Sequence, residues 1–188
     1  MMAKNYEGRP YHVALFVSRN KDNMGLPDFK QRTRALLTQK FPNELEVEFN
    51  EFCERGLVNE MSRFYISVNT RKQEVINKEV QHYLIDNPSA SLTDFEKVIA
   101  SLSMKPGTAL TKKFLFDYDD DPDLIDEFLS EVKQALEDES LIETQKTVSG
   151  YAVVTEHGFD TRTLLEKWKK VELKRDGMLF VKAQKKLG

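Results

Sequence analysis

The 188 residues, 40% of them hydrophobic, are enough for one complete core, and 31% are charged, with 28 basic against 31 acidic side chains. The net charge of -3 gives no general preference for nucleic acid, so any basic binding surface must be local. The single cysteine, Cys53, excludes a disulfide framework, and with three well-separated histidines it also excludes a standard structural zinc site.

No stretch approaches the ~20 apolar residues of a membrane-spanning helix. The first residues, MMAKNYEGRPYHVALFV, contain no apolar run long enough for a signal peptide. We therefore expect a soluble cytoplasmic protein of one domain, 1–188, with no membrane partner.

The first half of the sequence alternates strand and helix patterns. A run rich in β-branched and aromatic residues predicts a strand at 11–20. The apolar residues of 28–41 fall on or near one face of a helix that Pro42 would end. Alternating apolar and acidic residues at 45–49 predict a half-exposed strand, and a further strand pattern ends at Val68.

Two helices are predicted next. The first runs from about Lys72 to Ile85, with Asn69 or Thr70 as its cap. The second spans 91–102, where apolar residues recur at the three-and-four spacing of an amphipathic helix after a capping serine.

The following segment, 103–110, has the composition of a loop and includes Pro106 and Gly107. It is where a mobile loop or a lobe boundary would lie. Within the single domain, it can separate two lobes, 1–102 and 111–188.

The second half has the pattern strand, helix, strand, strand, helix, strand. The predicted elements are a strand at 113–118, a helix from Pro122 to about Asp138, strands at 141–147 and 151–155, a short helix near 160–169, and a final pair of strands around 171–174 and 178–182. This order is typical of a ferredoxin-like or RRM-like antiparallel sheet with helices on one face. We expect an α+β fold in which this half packs with an N-terminal α/β lobe.

Two aspartates occupy the strand predicted at 113–118. Residues two apart on a strand point to the same side, so Asp117 and Asp119 project from one face, and Phe116 and Tyr118 from the other. Two carboxylates about 6 to 7 Å apart along a strand can bind hard divalent cations, which polarise a phosphoryl group.

The alternative is that this run is the solvated acidic end of a strand. Asp121 before Pro122 is a good helix N-cap, and Asp123 favours the helix dipole. That account explains Asp117 and Asp119 less well, because both precede the cap, and the two interpretations stay open.

A second group of polar residues follows the strand at 151–155. His157 and Gly158 end that strand, and Asp160 then opens a helix that carries Arg162. The imidazole, the guanidinium and the helix N-terminus can together hold a phosphate. The alternative is an ordinary strand-to-helix turn with Asp160 as its cap and His157 exposed.

These motifs resemble those of the archaeo-eukaryotic primase, or primase-polymerase, superfamily. Its core is a modified RRM-like sheet with a strand of three hydrophobic residues followed by Asp-hydrophobic-Asp, a later small-x-His motif and a further acidic residue on a late strand. FLFDYD at 114–119 matches the first motif, and Thr-Glu-His at 155–157 is similar to the second. Asp176 lies in the region of the third, in a turn sequence, and the resemblance covers about 111–182.

The resemblance implies metal-dependent nucleotidyl transfer. Both strand aspartates and Asp176 would hold Mg²⁺ or Mn²⁺, and His157 would contact the phosphates of the incoming nucleotide. Lys113 or Arg162 would assist. The sequence is also similar to small uncharacterised tailed-phage proteins, which implies no assigned activity; for a phage-encoded chain the compartment would be the host cytoplasm. We therefore expect a minimal or degenerate primase-polymerase-like protein that acts on, or binds, nucleotides or single-stranded nucleic acid.

Two other functions remain open. Glu172-x-Lys174 after an upstream aspartate is the pattern of a metal-dependent nuclease, in which the glutamate would bind metal and the lysine would orient water. A non-catalytic module for single-stranded nucleic acid or protein would instead use interleaved basic and aromatic residues. The candidates for nucleic-acid contact are Arg63, Tyr65, Arg71, Lys105 and Lys112.

Overall fold

The computed structural model describes Tyr6, 8–136 and 142–188. The strands are β1 His12–Ser18, β2 Arg32–Thr38, β3 Met61–Ser67, β4 Phe114–Tyr118, β5 Ile142–Lys146, β6 Tyr151–Thr155, β7 Val171–Lys174 and β8 Met178–Lys185. The α-helices are α1 Glu46–Glu54, α2 Gln73–Asp86, α3 Phe95–Leu102, α4 Ile125–Leu136 and α5 Arg162–Lys167. Within the described residues, no helix combines the length and the apolar character needed to cross a bilayer.

The second sheet has the strand order β5-β6-β4-β7 and is antiparallel throughout. Together with α4 and α5, this is the order expected of a ferredoxin-like unit, so the predicted α+β class with an antiparallel sheet is confirmed. The two helices cover one face, where Tyr118, Phe128 and Trp168 form an aromatic cluster with ring centroids 5.2 to 5.9 Å apart. Burial of such large rings supplies most of the stabilisation of this layer.

The first sheet has the order β2-β1-β3-β8, so the last strand of the chain returns to pair with β3. Helix α1 covers one face of this sheet, and Phe16, Phe49 and Phe64 pack there with centroids 5.0 to 5.6 Å apart. Helix α3 packs on β2.

The helix predicted at 28–41 is wrong, because Arg32–Thr38 forms strand β2. It pairs with β1 along its whole length. Leu36 packs against the core under α1, whereas Ala35 lines a groove beside α3. A strand that is covered on both faces carries consecutive apolar residues. The apolar stripe of a helix can contain the same run, so the sequence pattern did not distinguish the two.

The strand predicted at 45–49 is also wrong, because Glu46–Glu54 forms helix α1. Leu45, Phe49 and Phe52 are buried at helical spacing, whereas Val47, which completed the apparent alternation, is 67% exposed. The alternation of apolar and acidic residues at 45–49 is too short to indicate a strand. Over the whole of α1, the buried residues recur with the period of a helix.

The remaining elements agree with the sequence analysis, with small differences at their ends. Helix α2 begins after Lys72 without a side-chain cap, so neither Asn69 nor Thr70 caps it. Asp121 caps the turn Pro122–Leu124 that leads into α4, as predicted. The predicted end of that helix at Asp138 lies outside the described residues.

The helix-free face of the second sheet packs against the first sheet. Leu115 and Val154 meet Val68 and Leu179 in a small apolar cluster. This contact covers only part of the facing surfaces, and a cleft is left beside it.

Candidate functional site

The cleft between the two sheets has a volume of about 430 Å³. Leu15, Leu115 and Met178 contribute to an apolar floor, and the rings of Tyr65 and Phe180 line it from β3 and β8. The volume lies within the range of small-ligand sites, and an apolar lining with a few convergent polar groups is typical of them.

Five of the residues predicted from the sequence come together in this cleft: Arg63, Tyr65, Asp117, Asp119 and Lys174. Strand alternation explains the placement. Because Phe64 points into the core under α1, its two neighbours on β3 point into the cleft. Likewise, Phe116 and Tyr118 are buried beneath the helices, so the two aspartates face away from them.

The acidic wall of the cleft consists of Asp117 and Asp119 with Lys174 of β7, and Glu172 lies beside them on β7, outside the cleft lining. Asp117 lies directly opposite Glu172 across the β4–β7 pair. Lys174 Nζ donates to Asp117 Oδ2 at 2.5 Å and lies 3.5 Å from Glu172 Oε2. Burial lowers the pKa of Lys174, but hydrogen bonding to Asp117 and the charges of both carboxylates outweigh it and raise that pKa above its ordinary value.

A side chain of the β5–β6 turn holds Asp119 in position. Ser149 Oγ donates to Asp119 Oδ1 at 2.9 Å. The turn approaches the end of β4 so closely that a Cβ on Gly150 would lie 2.0 Å from the carbonyl oxygen of Tyr118. Glycine is therefore required at this position.

The cationic wall of the cleft consists of Arg19, Lys21 and Arg63. Arg19 Nε donates to Asp22 Oδ2 at 2.9 Å, and an Arg63 terminal nitrogen donates to Asp22 Oδ1 at 2.5 Å. Burial alone would raise the pKa of Asp22, but the hydrogen bonds and charges of both arginines lower it overall. Arg19 and Lys21 were not predicted from the sequence, where their only signal is their position in the polar turn directly after β1.

Asp176, the third ligand implied by the family resemblance, lies elsewhere. Its two oxygens accept from Nη1 and Nη2 of Arg71, both at 2.8 Å, and Asn69 Nδ2 donates to Oδ1 at 3.2 Å. Asn69 also donates to the carbonyl of Lys113, so this group joins the two sheets. In the described part of the chain, no group of three or more His, Cys, Asp and Glu side chains is arranged to hold a metal ion.

The predicted phosphate group around His157 lies apart from the strand aspartates. Thr155 pairs with Phe114, whereas Asp117 pairs with Ala152, so His157 lies beyond the opposite end of β4. Lys113 forms an ion pair with Glu156. Arg162 Nε donates to both oxygens of Asp160 at 2.9 and 3.1 Å, and this arginine lowers the pKa of Asp160 to about 2.

The other predicted nucleic-acid contacts do not line the cleft. Arg71 is 2% exposed and holds Asp176, so it has a structural role inside the protein. Lys105 forms an ion pair with Glu79 at 2.6 Å, and Lys112 is exposed in the loop before β4.

The cleft thus combines a cationic wall, an acidic wall and two aromatic rings above an apolar floor. Such a combination can bind a ligand that has an anionic group and a planar ring. Comparisons with protein-family models, with curated proteins and with solved structures found no match to this chain.

Proposed function

We propose that the protein binds a nucleotide, or the end of a single-stranded nucleic acid, in the cleft between the two sheets. The observation that carries this proposal is the convergence in one cleft of Arg63, Tyr65, Asp117 and Asp119. Each was predicted from the sequence for nucleotide, nucleic-acid or metal chemistry, and the two pairs lie about fifty residues apart along the chain.

The aromatic rings supply a surface for the base. Tyr65 and Phe180 lie on adjacent strands with centroids 5.8 Å apart and an interplanar angle of 73°. Stacking of a base on an aromatic side chain stabilises a complex by about 1–3 kcal/mol and tolerates any base. The cationic wall would contact the phosphates.

The aspartates fit a divalent cation that arrives with the nucleotide. Mg²⁺ in proteins is usually held by one or two carboxylates, with phosphate oxygens and water completing its coordination. Asp117 and Asp119 would supply those carboxylates, and Mg²⁺ or Mn²⁺ would neutralise and polarise the phosphoryl group. Metal-dependent nucleotidyl transfer by a primase-polymerase-like protein is the catalytic form of this proposal.

A second candidate, a metal-dependent nuclease, is favoured by one observation. Glu172 and Lys174 lie beside Asp117 across the β4–β7 pair, and Lys174 Nζ contacts both carboxylates. Two carboxylates and a lysine in this arrangement can hold a metal and orient a water molecule. Cleavage of a single-stranded oligonucleotide that requires Lys174 would distinguish it from nucleotidyl transfer.

The test is calorimetric titration of a nucleoside triphosphate, with and without Mn²⁺, into the wild type and an Asp117→Asn, Asp119→Asn variant. The matched control, Asp86→Asn, Asp94→Asn, removes two exposed carboxylates outside the cleft. We expect Mn²⁺ to tighten binding to the wild type and to the control, but not to the cleft variant.

Nucleotide binding that depends on Tyr65 but not on the aspartates or on metal would identify a non-catalytic binding module. If the wild type binds neither the triphosphate nor a single-stranded oligonucleotide, the proposal is wrong.

A further inference from the structure

We propose that the cationic wall is a phosphate subsite that binds a phosphomonoester without metal, and that Asp22 is the residue that positions it. This inference rests on the proposed function for the identity of the whole ligand. In this proposal the cationic wall binds the anionic group of the ligand, and the acidic wall binds a cation.

Asp22 holds two guanidinium groups side by side. Arg19 donates to both of its oxygens, at 2.9 and 3.3 Å, and Arg63 donates to Oδ1 at 2.5 Å. Each arginine has five N–H donors, so both have donors left for a ligand. The Arg63 side chain is 14% exposed and lines the cleft, so its terminal nitrogens are the donors that a ligand could contact.

The turn that carries Arg19, Lys21 and Asp22 is fixed to the first sheet by a buried side chain. Asn23 is 4% exposed, and its Nδ2 donates to the carbonyls of Arg19 at 2.9 Å and Met61 at 3.0 Å. Its Oδ1 accepts from the Met61 N–H at 2.6 Å. Asn23 thus fixes the backbone of the turn and Asp22 holds the two guanidinium groups, so their positions are set before a ligand binds, which lowers the entropic cost of binding.

The charges of the cleft favour an anion at this wall. Arg19 and Arg63 share the carboxylate of Asp22, and Lys21 adds a third positive charge, so the wall and Asp22 together keep a charge of +2 in a protein with a net charge of -3. Across the cleft, Asp117 and Asp119 repel an anion, and the neighbouring cation Lys174 is paired with Asp117. A phosphate is thus directed to the cationic wall, where guanidinium groups can bind it through two oxygens.

The first experiment uses inorganic phosphate and a nucleoside monophosphate as probes, titrated by calorimetry with EDTA present and compared with the uncharged nucleoside. We expect both phosphates to bind without metal and the nucleoside to bind more weakly than its monophosphate. Arg19→Gln and Lys21→Gln should each weaken phosphate binding roughly tenfold, the effect of one lost charge-assisted hydrogen bond. Lys78→Gln is the matched control, because Lys78 is exposed on α2 and outside the cleft.

Asp22→Asn tests the positioning role. If only charge mattered, this substitution would tighten phosphate binding, because it removes a negative charge beside the site. If Asp22 positions the arginines, binding weakens roughly tenfold even though the local charge becomes more positive. A thermal unfolding curve shows whether the variant is folded, and Lys21→Gln, which removes no described hydrogen bond, provides an independent test of the subsite.

The outcomes separate this inference from the proposed function. Tighter phosphate binding by Asp22→Asn would overturn the role of Asp22. Nucleotide binding that is unchanged in Arg19→Gln and Lys21→Gln would overturn the subsite and leave the proposed function standing. If binding of inorganic phosphate depends on the cationic wall, but the nucleoside monophosphate binds no more tightly than inorganic phosphate, the subsite is supported and nucleotide binding is contradicted.

Discussion

The two walls of the cleft are built by the same rule but carry opposite charge. On each wall, alternate residues of a central strand face the cleft while their neighbours are buried under helices. The cationic wall has three cations, with the carboxylate of Asp22 beside them, and the acidic wall has two carboxylates and Lys174, with Glu172 beside them. When Asp22 and Glu172 are counted with their neighbours, each wall has one counter-ion and an excess of two charges.

The opposite charges of the two walls limit which ligands can contact both walls at once. A simple anion satisfies only the cationic wall, and a simple cation satisfies only the acidic wall. A nucleotide accompanied by a divalent metal presents both charges at once, with the phosphates between them. This complementarity is stronger support for nucleotide binding than either wall alone.

The largest effect is expected outside the cleft, where Arg71 and Asp176 join the two sheets that carry the walls. Asp176→Asn leaves a buried guanidinium without its carboxylate, and we expect the free energy of unfolding to fall by about 3 kcal/mol. Urea unfolding of the wild type and of Asp176→Asn measures this difference in the free energy of unfolding. The matched control is Asp160→Asn, which breaks an exposed Arg–Asp pair and should leave stability almost unchanged.

The same variant tests the family resemblance. If Asp176 were a metal ligand, Asp176→Asn would weaken Mn²⁺ binding and leave unfolding unaffected. A loss of stability with unchanged metal affinity would show that Asp176 stabilises the contact between the two sheets and does not bind metal.

A smaller effect is expected within the acidic wall from Lys174→Met. The substitution removes the cation that competes for Asp117, so we expect Mn²⁺ to bind about fivefold more tightly without nucleotide, roughly 1 kcal/mol. Calorimetry with Mn²⁺ alone measures it. Lys170→Met is the control, because Lys170 pairs with Asp120 outside the cleft. Unchanged Mn²⁺ affinity in Lys174→Met would mean that Asp117 is not a metal ligand.

The two walls also differ in how far the sequence could predict them. Strand alternation was enough to place Asp117 and Asp119 on the face opposite Phe116 and Tyr118, because the pattern is local. The cationic wall depends on β1, the turn after it and β3 meeting in space, and Arg19 belongs to no motif. Long-range contacts of this kind have no signal in a single sequence.

The order of elements shows the same limit. The elements of the second half were predicted correctly because α4 has a long apolar stripe and the strands are short, but the pairing of β8 with the first sheet was not predicted. In the first half, 28–41 was mistaken for a helix because β2 is covered on both faces. The ion pair of Arg71 with Asp176 spans 105 residues and exists only because β8 returns to the first sheet.

The smallest effect is a difference in the pH at which the two walls lose their ion pairs. The pKa of Asp22 is lowered from 3.8 in the folded protein, so its contribution to stability is present above that pH and is lost as the pH falls. The pKa of Lys174 is raised from 10.5, so its contribution is present below that pH and is lost as the pH rises. We expect each contribution to be about 1 kcal/mol or less, as for other partly exposed pairs.

Urea unfolding at pH 3 to 5 and at pH 9.5 to 11.5 would therefore separate the walls. The stability difference between the wild type and Asp22→Asn should shrink on the acid side, and the difference between the wild type and Lys174→Met should shrink on the alkaline side. If both differences vanished at the same end of the range, the two pairs would not be independent. The walls would then have to be treated as one coupled network across the cleft, in which binding at one wall changes the charge available at the other.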